Sequence, residues 1–250
     1  IRAMEAELRS RGVAMHLNTQ IETMAEGPDG AVLTDAKGVQ HKAGRVICTL
    51  PVPVLKTMAA RSKDVMGLGL WQYLKSIQIS HFTKLIVPME EGWIAQRFAP
   101  DSAVINTVGE DFTEISIRPA SKPLAILFAT GERAVAWERM DKARLMDVVN
   151  IAFAQIPAME GFEKAVLADE ISVTDWNTNP LFRGSYGAMK LGHFRKGPMI
   201  SNGGRIVFAG TEFHPVAGGS MATAHESGRM AADMVSGGST VQAKPAPEIA

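Results

Sequence analysis

The chain has 250 residues, and its 26 Lys and Arg balance its 26 Asp and Glu, so the formal net charge is zero. That balance excludes the basic excess of a general nucleic-acid binder and the acidic excess of a solvating tail. With 46% hydrophobic and 21% charged residues, the chain has the composition of one large folded domain or two small ones.

The elements follow in chain order. Met4 and Leu8 lie one turn apart among Arg2, Glu5, Glu7, Arg9 and Arg11, which reads as a helix that stops at Gly12. The sequence therefore opens inside a helix, with Ile1, and is expected to be a piece of a longer protein. Ile21 to Ala25, Ala31 to Thr34 and Val39 to Ala43 are short strands, separated by Gly27-Pro28-Asp29-Gly30 and Asp35-Ala36-Lys37-Gly38. Asp-Gly and Lys-Gly are hairpin chemistry, because glycine takes the positive φ of the tight turn. Val46-Ile47-Cys48-Thr49-Leu50 is a continuous apolar strand, expected to be buried on both faces. Its Cys48 is the single cysteine, which excludes a disulfide framework and a multi-cysteine metal site. A reducing compartment follows, and a cytoplasmic location is expected.

A short helix is predicted over Val52 to Ala60. A second sheet is predicted from Leu74 to Val87, Glu114 to Arg118 and Leu124 to Thr130. Asp141 is an N-cap for a helix to Gln155, with Leu145, Val148, Val149, Ala152 and Ile156 on its apolar face. Val166 to Asp175 reads as extended. Arg205 to Gly210 is a buried strand, followed by the turn Val216-Ala217-Gly218-Gly219-Ser220 and a helix from Met221 to about Val235. Met221, Ala224, Gly228, Ala231, Ala232 and Val235 give that helix a small face, expected to pack against something flat. The Ser236 to Pro247 stretch has linker composition, so a disordered tail is expected over 238–250. No run reaches the roughly 18 apolar residues of a spanning helix, and no membrane partner is expected.

Strand, glycine turn and small-faced helix together place backbone N–H groups at a positive helix end, where an anion or a developing negative charge is stabilised. A phosphate is one candidate. The N1/C2-carbonyl edge of a reduced flavin is another. None of the six histidines shows metal-ligand spacing; His81 and His225 are read as structural or facing a pocket.

The residues resemble a known family. Phe208-Ala209-Gly210-Thr211-Glu212, Gly219-Ser220-Met221-Ala222-Thr223-Ala224 and Glu226-Ser227-Gly228 are similar to the C-terminal flavin-binding segment of the flavin-containing amine oxidases. Asn18-Thr19-Gln20-Ile21 with the following hairpins, Lys84-Leu85-Ile86-Val87 with Trp93, and Trp176 to Pro180 with Arg183-Gly184-Ser185-Tyr186 agree in the family's order. The family's opening Gly-x-Gly-x-x-Gly, which holds the FAD pyrophosphate, does not occur. Tight FAD binding by this chain alone is therefore not expected.

The resemblance implies a mixed α/β (α+β) fold. It has a partial, Rossmann-like FAD-binding domain with a β-meander at 1–60 and 179–237, and a substrate domain of mixed sheet flanked by helices at 61–178. It implies an FAD-dependent oxidoreductase that passes a hydride equivalent from an amine or amino acid to flavin N5, with oxygen returning hydrogen peroxide. A protoporphyrinogen oxidase or desaturase chemistry is the alternative within the fold, and a non-catalytic fragment that needs the missing N-terminal part, or a homo-oligomer, is the other.

Carried over residue by residue, Lys84 matches the lysine that holds a water at flavin N5, and Tyr186 matches one wall of the aromatic cage. Ile21 and Thr49 match the adenosine side, and Trp176 a ring near the flavin. Gly210, Thr211, Glu212, Gly219, Ser220, Met221 and Ala224 match the cofactor-binding turn and helix, with the Met221 N–H toward the flavin C2 carbonyl. Ser185 stands where some relatives carry a flavin-bonding cysteine, so the FAD is expected to be non-covalent. Ser220 replaces the second cage wall. Arg97 and Arg183 are candidates to anchor a substrate carboxylate.

Overall fold

The computed structural model describes residues 2–98, 103–105, 114–118 and 123–237, and the expected tail at 238–250 lies outside them. Helix α1 (Arg2–Ser10) buries no residue and is laced on its surface by Arg9–Glu5 and Arg11–Glu7 pairs. Strands β1 (Ile21–Gly27), β2 (Gly30–Asp35) and β3 (Gln40–Ala43) form the expected antiparallel meander. The second hairpin is held by Asp35, whose Oδ1 accepts the N–H groups of Lys37 and Val39 at 2.9 Å.

Strand β4 (Val46–Cys48) leads through Pro51 into α2 (Val52–Met58). Helix α3 (Lys63–Ser76) follows, kinked at Gly67. It occupies the start of the segment predicted to be extended, so Leu74 to Ser76 are helical. The two glycines at 67 and 69 hide the helical spacing of Met66, Leu70, Tyr73 and Leu74, which are all buried.

Strand β5 (Ile77–Ile79) is followed by β6 (Phe82–Pro88), α4 (Glu91–Ala95), β7 (Ala103–Ile105), β8 (Glu114–Arg118) and β9 (Leu124–Thr130). Helices α5 (Gly131–Trp137) and α6 (Lys142–Ala154) come next. Asp141 caps α6 by accepting the Arg144 N–H at 2.9 Å. The stretch predicted as extended from Val166 to Asp175 holds only the two-residue β10 (Ser172–Val173), with a 3-10 turn at Ala168–Glu170 before it. Leu167, the residue entering that turn, bonds Pro88 through its N–H, so only a short piece of the segment reaches the edge of β6.

Strands β10-β6-β9-β8-β7 form one antiparallel sheet. Alternation along β6 and β9 sends Leu85, Val87, Ala125, Leu127 and Ala129 into a core closed by Trp137, Leu145, Val149 and Phe153 from α5 and α6. The opposite face carries Phe82, Lys84 and Phe128, all outside that core.

The chain returns through β11 (Gly187–Met189), which pairs with β5, then β12 (Met199–Ile200) and β13 (Ile206–Phe208). Strand β13 lies between β12 and β4 and pairs with β4 in parallel. Strand β4 is thus an edge strand. Cys48 is buried but Ile47 is 37% exposed, which corrects the expectation of burial on both faces. A second core gathers Met24, Leu55, Met66, Leu70, Tyr73, Leu74, Phe208 and Phe213.

Helix α7 (Met221–Ser236) closes the fold, with Ser220 as N-cap and Gly237 after its end. Its packed face keeps part of the predicted small stripe: Ala231 is fully buried and Ala224, Gly228 and Val235 are partly so, while Met221 is 91% exposed, Ala232 is exposed, and Ser227, outside the stripe, is fully buried. Ala231, Met234 and Val235 lie on Val207 and Ala209, so the helix does lie against the β13 sheet.

Candidate functional site

The ends of β4 and β13 point the same way because the strands are parallel, and the segments leaving them frame a cavity of about 370 Å³. Thr49 comes from the end of β4, Gly210, Thr211 and Glu212 from the end of β13, and Ala224 from α7. Ile79, Phe182 and Ser185 form part of the facing wall.

The glycine turn is built from the inside. Thr211 Oγ1 accepts the Gly219 N–H at 2.6 Å and meets Thr223 Oγ1 at 3.0 Å. Ser220 Oγ accepts the Thr223 N–H at 3.2 Å and caps α7. Ser227 Oγ accepts the Gly210 N–H at 3.1 Å and donates to the Phe213 carbonyl at 3.0 Å. The sequence led to an expectation of backbone N–H donors at this corner. Those of Gly210 and Gly219 are spent on Ser227 and Thr211, because a turn this tight brings both hydroxyls within reach.

Two residues that the sequence reading passed over brace the turn. The Arg195 guanidinium donates to the Thr211 and Gly187 carbonyls, each at 3.2 Å, and a Cβ on Gly218 would overlap it. Buried His214 accepts the Val216 and Ala217 N–H groups at Nδ1, at 3.4 and 3.1 Å, which leaves Nε2–H to donate to Glu226 at 3.2 Å. The signal for either lies in tertiary contact, since an arginine 16 residues before the contacted Thr211 carries no local pattern.

Glu212 lies in the cavity wall. Burial raises its carboxyl above the ordinary carboxylate range, against the opposing pull of its own N–H, the Gly187 N–H and Arg195. Its carbonyl accepts the hydroxyl of buried Tyr73 at 2.5 Å.

Beside the cavity lies an aromatic cluster. The Ser185 hydroxyl donates to the Phe82 carbonyl at 2.8 Å, and the Tyr186 carbonyl accepts from the Ser80 N–H at 2.8 Å. These bonds hold the Tyr186 ring against Phe82, with centroids 5.7 Å apart, and Phe82 in turn meets Phe128 at 5.5 Å. Lys84 is the cross-strand partner of Phe128, and its Nζ lies 5.6 Å from that ring. On its other side Tyr186 touches the glycine turn, within 3.3 Å of where a Gly219 Cβ would stand.

Thus Thr49, Gly210, Thr211, Glu212 and Ala224 share the cavity wall, while Tyr186 links Gly219 to the sheet face of Lys84. Ser220 and Met221 start α7 beside that turn. Trp176 stands outside the cavity with its ring 5.0 Å from Phe182, which lines it. Its loop is fixed by the Glu138 carboxylate, which accepts the Asn177 and Thr178 N–H groups. Ile21 lies at the bulged start of β1, on the second core and away from the cavity lining. Exposed Arg97 stacks on Trp93 at 4.1 Å, and Trp93 packs against the first core. Arg183 donates to the Pro180 carbonyl at 3.2 Å from an exposed turn. His225 is exposed, and His81 pairs with Asn177 at 3.1 Å. Among the described residues, no group of His, Cys, Asp and Glu is arranged to hold a metal ion.

Solved structures with this fold include wild-type putrescine oxidase bound to putrescine, at TM-score 0.65 and 16% identity over 91% of this chain and 51% of that one. A double mutant of putrescine oxidase redesigned in cofactor binding matches at TM-score 0.68 and 16% identity, over 94% of this chain and 52% of that one. The chain therefore spans about half the length of the solved structures it matches, and at this identity the likeness is one of fold. Among curated proteins none matches it by sequence. The family model for flavin containing amine oxidoreductases matches residues 1–236. With nearly every residue inside that match, the chain belongs to the flavin-containing amine oxidoreductase family.

Proposed function

We propose that the chain supplies the flavin-facing wall and the substrate face of an FAD-dependent oxidoreductase that oxidises a C–N bond of an amine or amino acid. The observation that carries this reading is the contact of Tyr186 with both the glycine turn and the Phe82–Phe128–Lys84 face.

The residues present fit one end of FAD. Gly210, at φ 131°, aims the place of its missing side chain at open space, with nothing within 4 Å, and this space opens on the cavity. The lining offers the hydroxyls of Thr49, Thr211 and Ser185 and the carboxyl of Glu212, a set suited to a polyhydroxylated chain and an uncharged ring. No Lys or Arg lines it, so it does not suit a diphosphate. The diphosphate would need a glycine loop on a further segment, in the same polypeptide or a partner. Ile21, outside the cavity, is proposed on the adenosine side, and Thr49 at the edge of the cavity that faces it. The two buried cores support a division into a cofactor part and a substrate part. Because α3 packs in the second core, the proposed boundary falls near residue 77.

When bound, the flavin supplies two-electron oxidation of the C–N bond, with oxygen as the final acceptor. Tyr186 and Phe82 form an apolar wall that orients the substrate and keeps water out. The Lys84 ammonium, set on the Phe128 ring, holds a water or oxygen at the reacting edge. The start of α7 adds a fixed partial positive charge, and the Met221 N–H steadies negative charge there. Ser185 has no thiol and already donates to the Phe82 carbonyl, so the cofactor is held without a covalent bond.

The test is a titration of the purified chain with FAD, followed by flavin fluorescence, with Ala224→Phe as the cavity-filling control. Weak saturable binding that Ala224→Phe abolishes is expected. A folded chain that shows no saturable change, or a variant that binds as the parent does, would overturn the reading. In the complete enzyme, Lys84→Met should slow reoxidation by oxygen by about tenfold or more while substrate reduction of the flavin persists.

A further inference from the structure

The chain carries no net charge, yet one groove gathers four of its Lys and Arg residues. The loop Lys190-Leu191-Gly192-His193-Phe194-Arg195-Lys196 runs beside the C-terminal half of α3 and is pinned to it at both ends. The Lys190 N–H donates to the Ser76 carbonyl at 2.8 Å, and the Lys196 N–H donates to Tyr73 Oη at 3.2 Å. Between loop and helix lies a groove of about 680 Å³, lined by Lys75, Lys190, His193, Arg195 and Lys196 with no Asp or Glu. The Glu212 carboxyl interacts with Arg195 but does not line the groove.

Among the described residues, no ion pair involves Lys75, Lys190 or Lys196. Lys75 and Lys196 rest instead over the rings of Trp71 and Tyr73, at 5.0 and 5.9 Å. Lys56 adds a further cation. Burial, and then repulsion from Lys190, holds its ammonium below the ordinary lysine range. Like charges gathered without counter-charges favour an anion that is not part of the chain.

The same loop carries two large apolar side chains, Phe194 in the groove lining and Leu191 just before it. Leu191 is 103% exposed and Phe194 is 84% exposed, on a loop whose backbone is fixed, so both side chains are held out in water. A free phosphate would give these two nothing to touch. A surface that is anionic above and apolar below satisfies both the lysines and the two prongs.

We propose that this face docks on an anionic phospholipid surface, with Leu191 and Phe194 entering the headgroup–acyl boundary and Lys75, Lys190 and Lys196 meeting the lipid phosphates. No helix among the described residues is long and apolar enough to cross a membrane, and docking of this kind needs none. The proposal departs from the expectation of no membrane partner, and it does not depend on flavin binding.

The test is co-sedimentation of the chain with phosphatidylcholine vesicles, with and without phosphatidylglycerol, over a range of salt. Binding is expected only to the anionic vesicles and should weaken with salt. Lys190→Gln and Lys196→Gln should each weaken it about fivefold. The exposed pair Leu191→Ser with Phe194→Ser should weaken it about tenfold or more with an unchanged circular dichroism spectrum. Equal binding to neutral vesicles, absence of binding, or variants that bind like the parent would each overturn the proposal. So would full displacement by millimolar inorganic phosphate, which would identify a free-phosphate site instead.

Discussion

The ring of Tyr186 abuts Gly219 so closely that a Cβ at position 219 would stand 3.3 Å from Tyr186 Cδ1. The glycine turn before α7 and the aromatic face of the five-stranded sheet are therefore one surface. Tyr186 reaches it because Ser80 and Ser185 tie its backbone to the start of β6.

Gly219→Ala should disturb this junction from two sides. Gly219 has φ 79°, a conformation that costs an alanine about 1–2 kcal/mol. The added methyl also pushes the Tyr186 ring. An unfolding free energy from urea denaturation lowered by that amount is expected, together with a changed tyrosine environment in near-UV circular dichroism.

Ser227→Ala should be more costly than a small change on a helix suggests. Ser227 is fully buried, and its hydroxyl accepts from Gly210 and donates to the Phe213 carbonyl. Removing it strands both backbone groups, at a cost of about 1–3 kcal/mol. Equilibrium unfolding measures this directly, and a loss within error of zero would contradict the bonding described.

Cys48 should be inert in the folded chain. Burial pushes its thiol up to about 11 from an ordinary value of 9.0. The folded state thus holds a proton that the unfolded state releases, so stability is complete below about pH 9 and falls as pH rises toward 11. The thiol contributes about 2–3 kcal/mol to that fall. Cys48→Ala should flatten the alkaline limb of the pH–stability curve, and the parent should resist thiol reagents until it unfolds.

Glu212 predicts the opposite end of the pH scale. Its carboxyl is raised by burial, so the folded state disfavours ionisation. Its unfavourable contribution appears as pH rises from the unfolded value of about 4.5 through the folded one. Glu212→Gln keeps an acceptor for the Gly187 N–H without the charge. It should raise the unfolding midpoint at neutral pH and leave it unchanged in acid.

Much of the fold was legible in the residues. Asp-Gly and Lys-Gly turns announced the meander, and Asp141 with its apolar spacing announced α6. What escaped was structure that depends on contacts far along the chain. Helix α3 carries two glycines and is made helical by burial of Met66, Leu70 and Leu74. On α7 the spacing selected Ala231 but not Ser227, a polar residue that no hydrophobic pattern picks out and that is equally buried. Val46 to Leu50 looked interior by composition, but β4 stands at a sheet edge and Ile47 is exposed.

By itself the sequence determined the family, the strand–turn–helix at residues 206–236 and the residue types available to it. Those properties are local in the chain, being spacing, turn chemistry and motif order. Only the tertiary structure decided which donors the turn keeps for itself, that Arg195 and His214 brace it, and that Tyr186 joins it to Lys84. Those facts depend on distances between residues remote in sequence, which packing sets and local pattern does not encode.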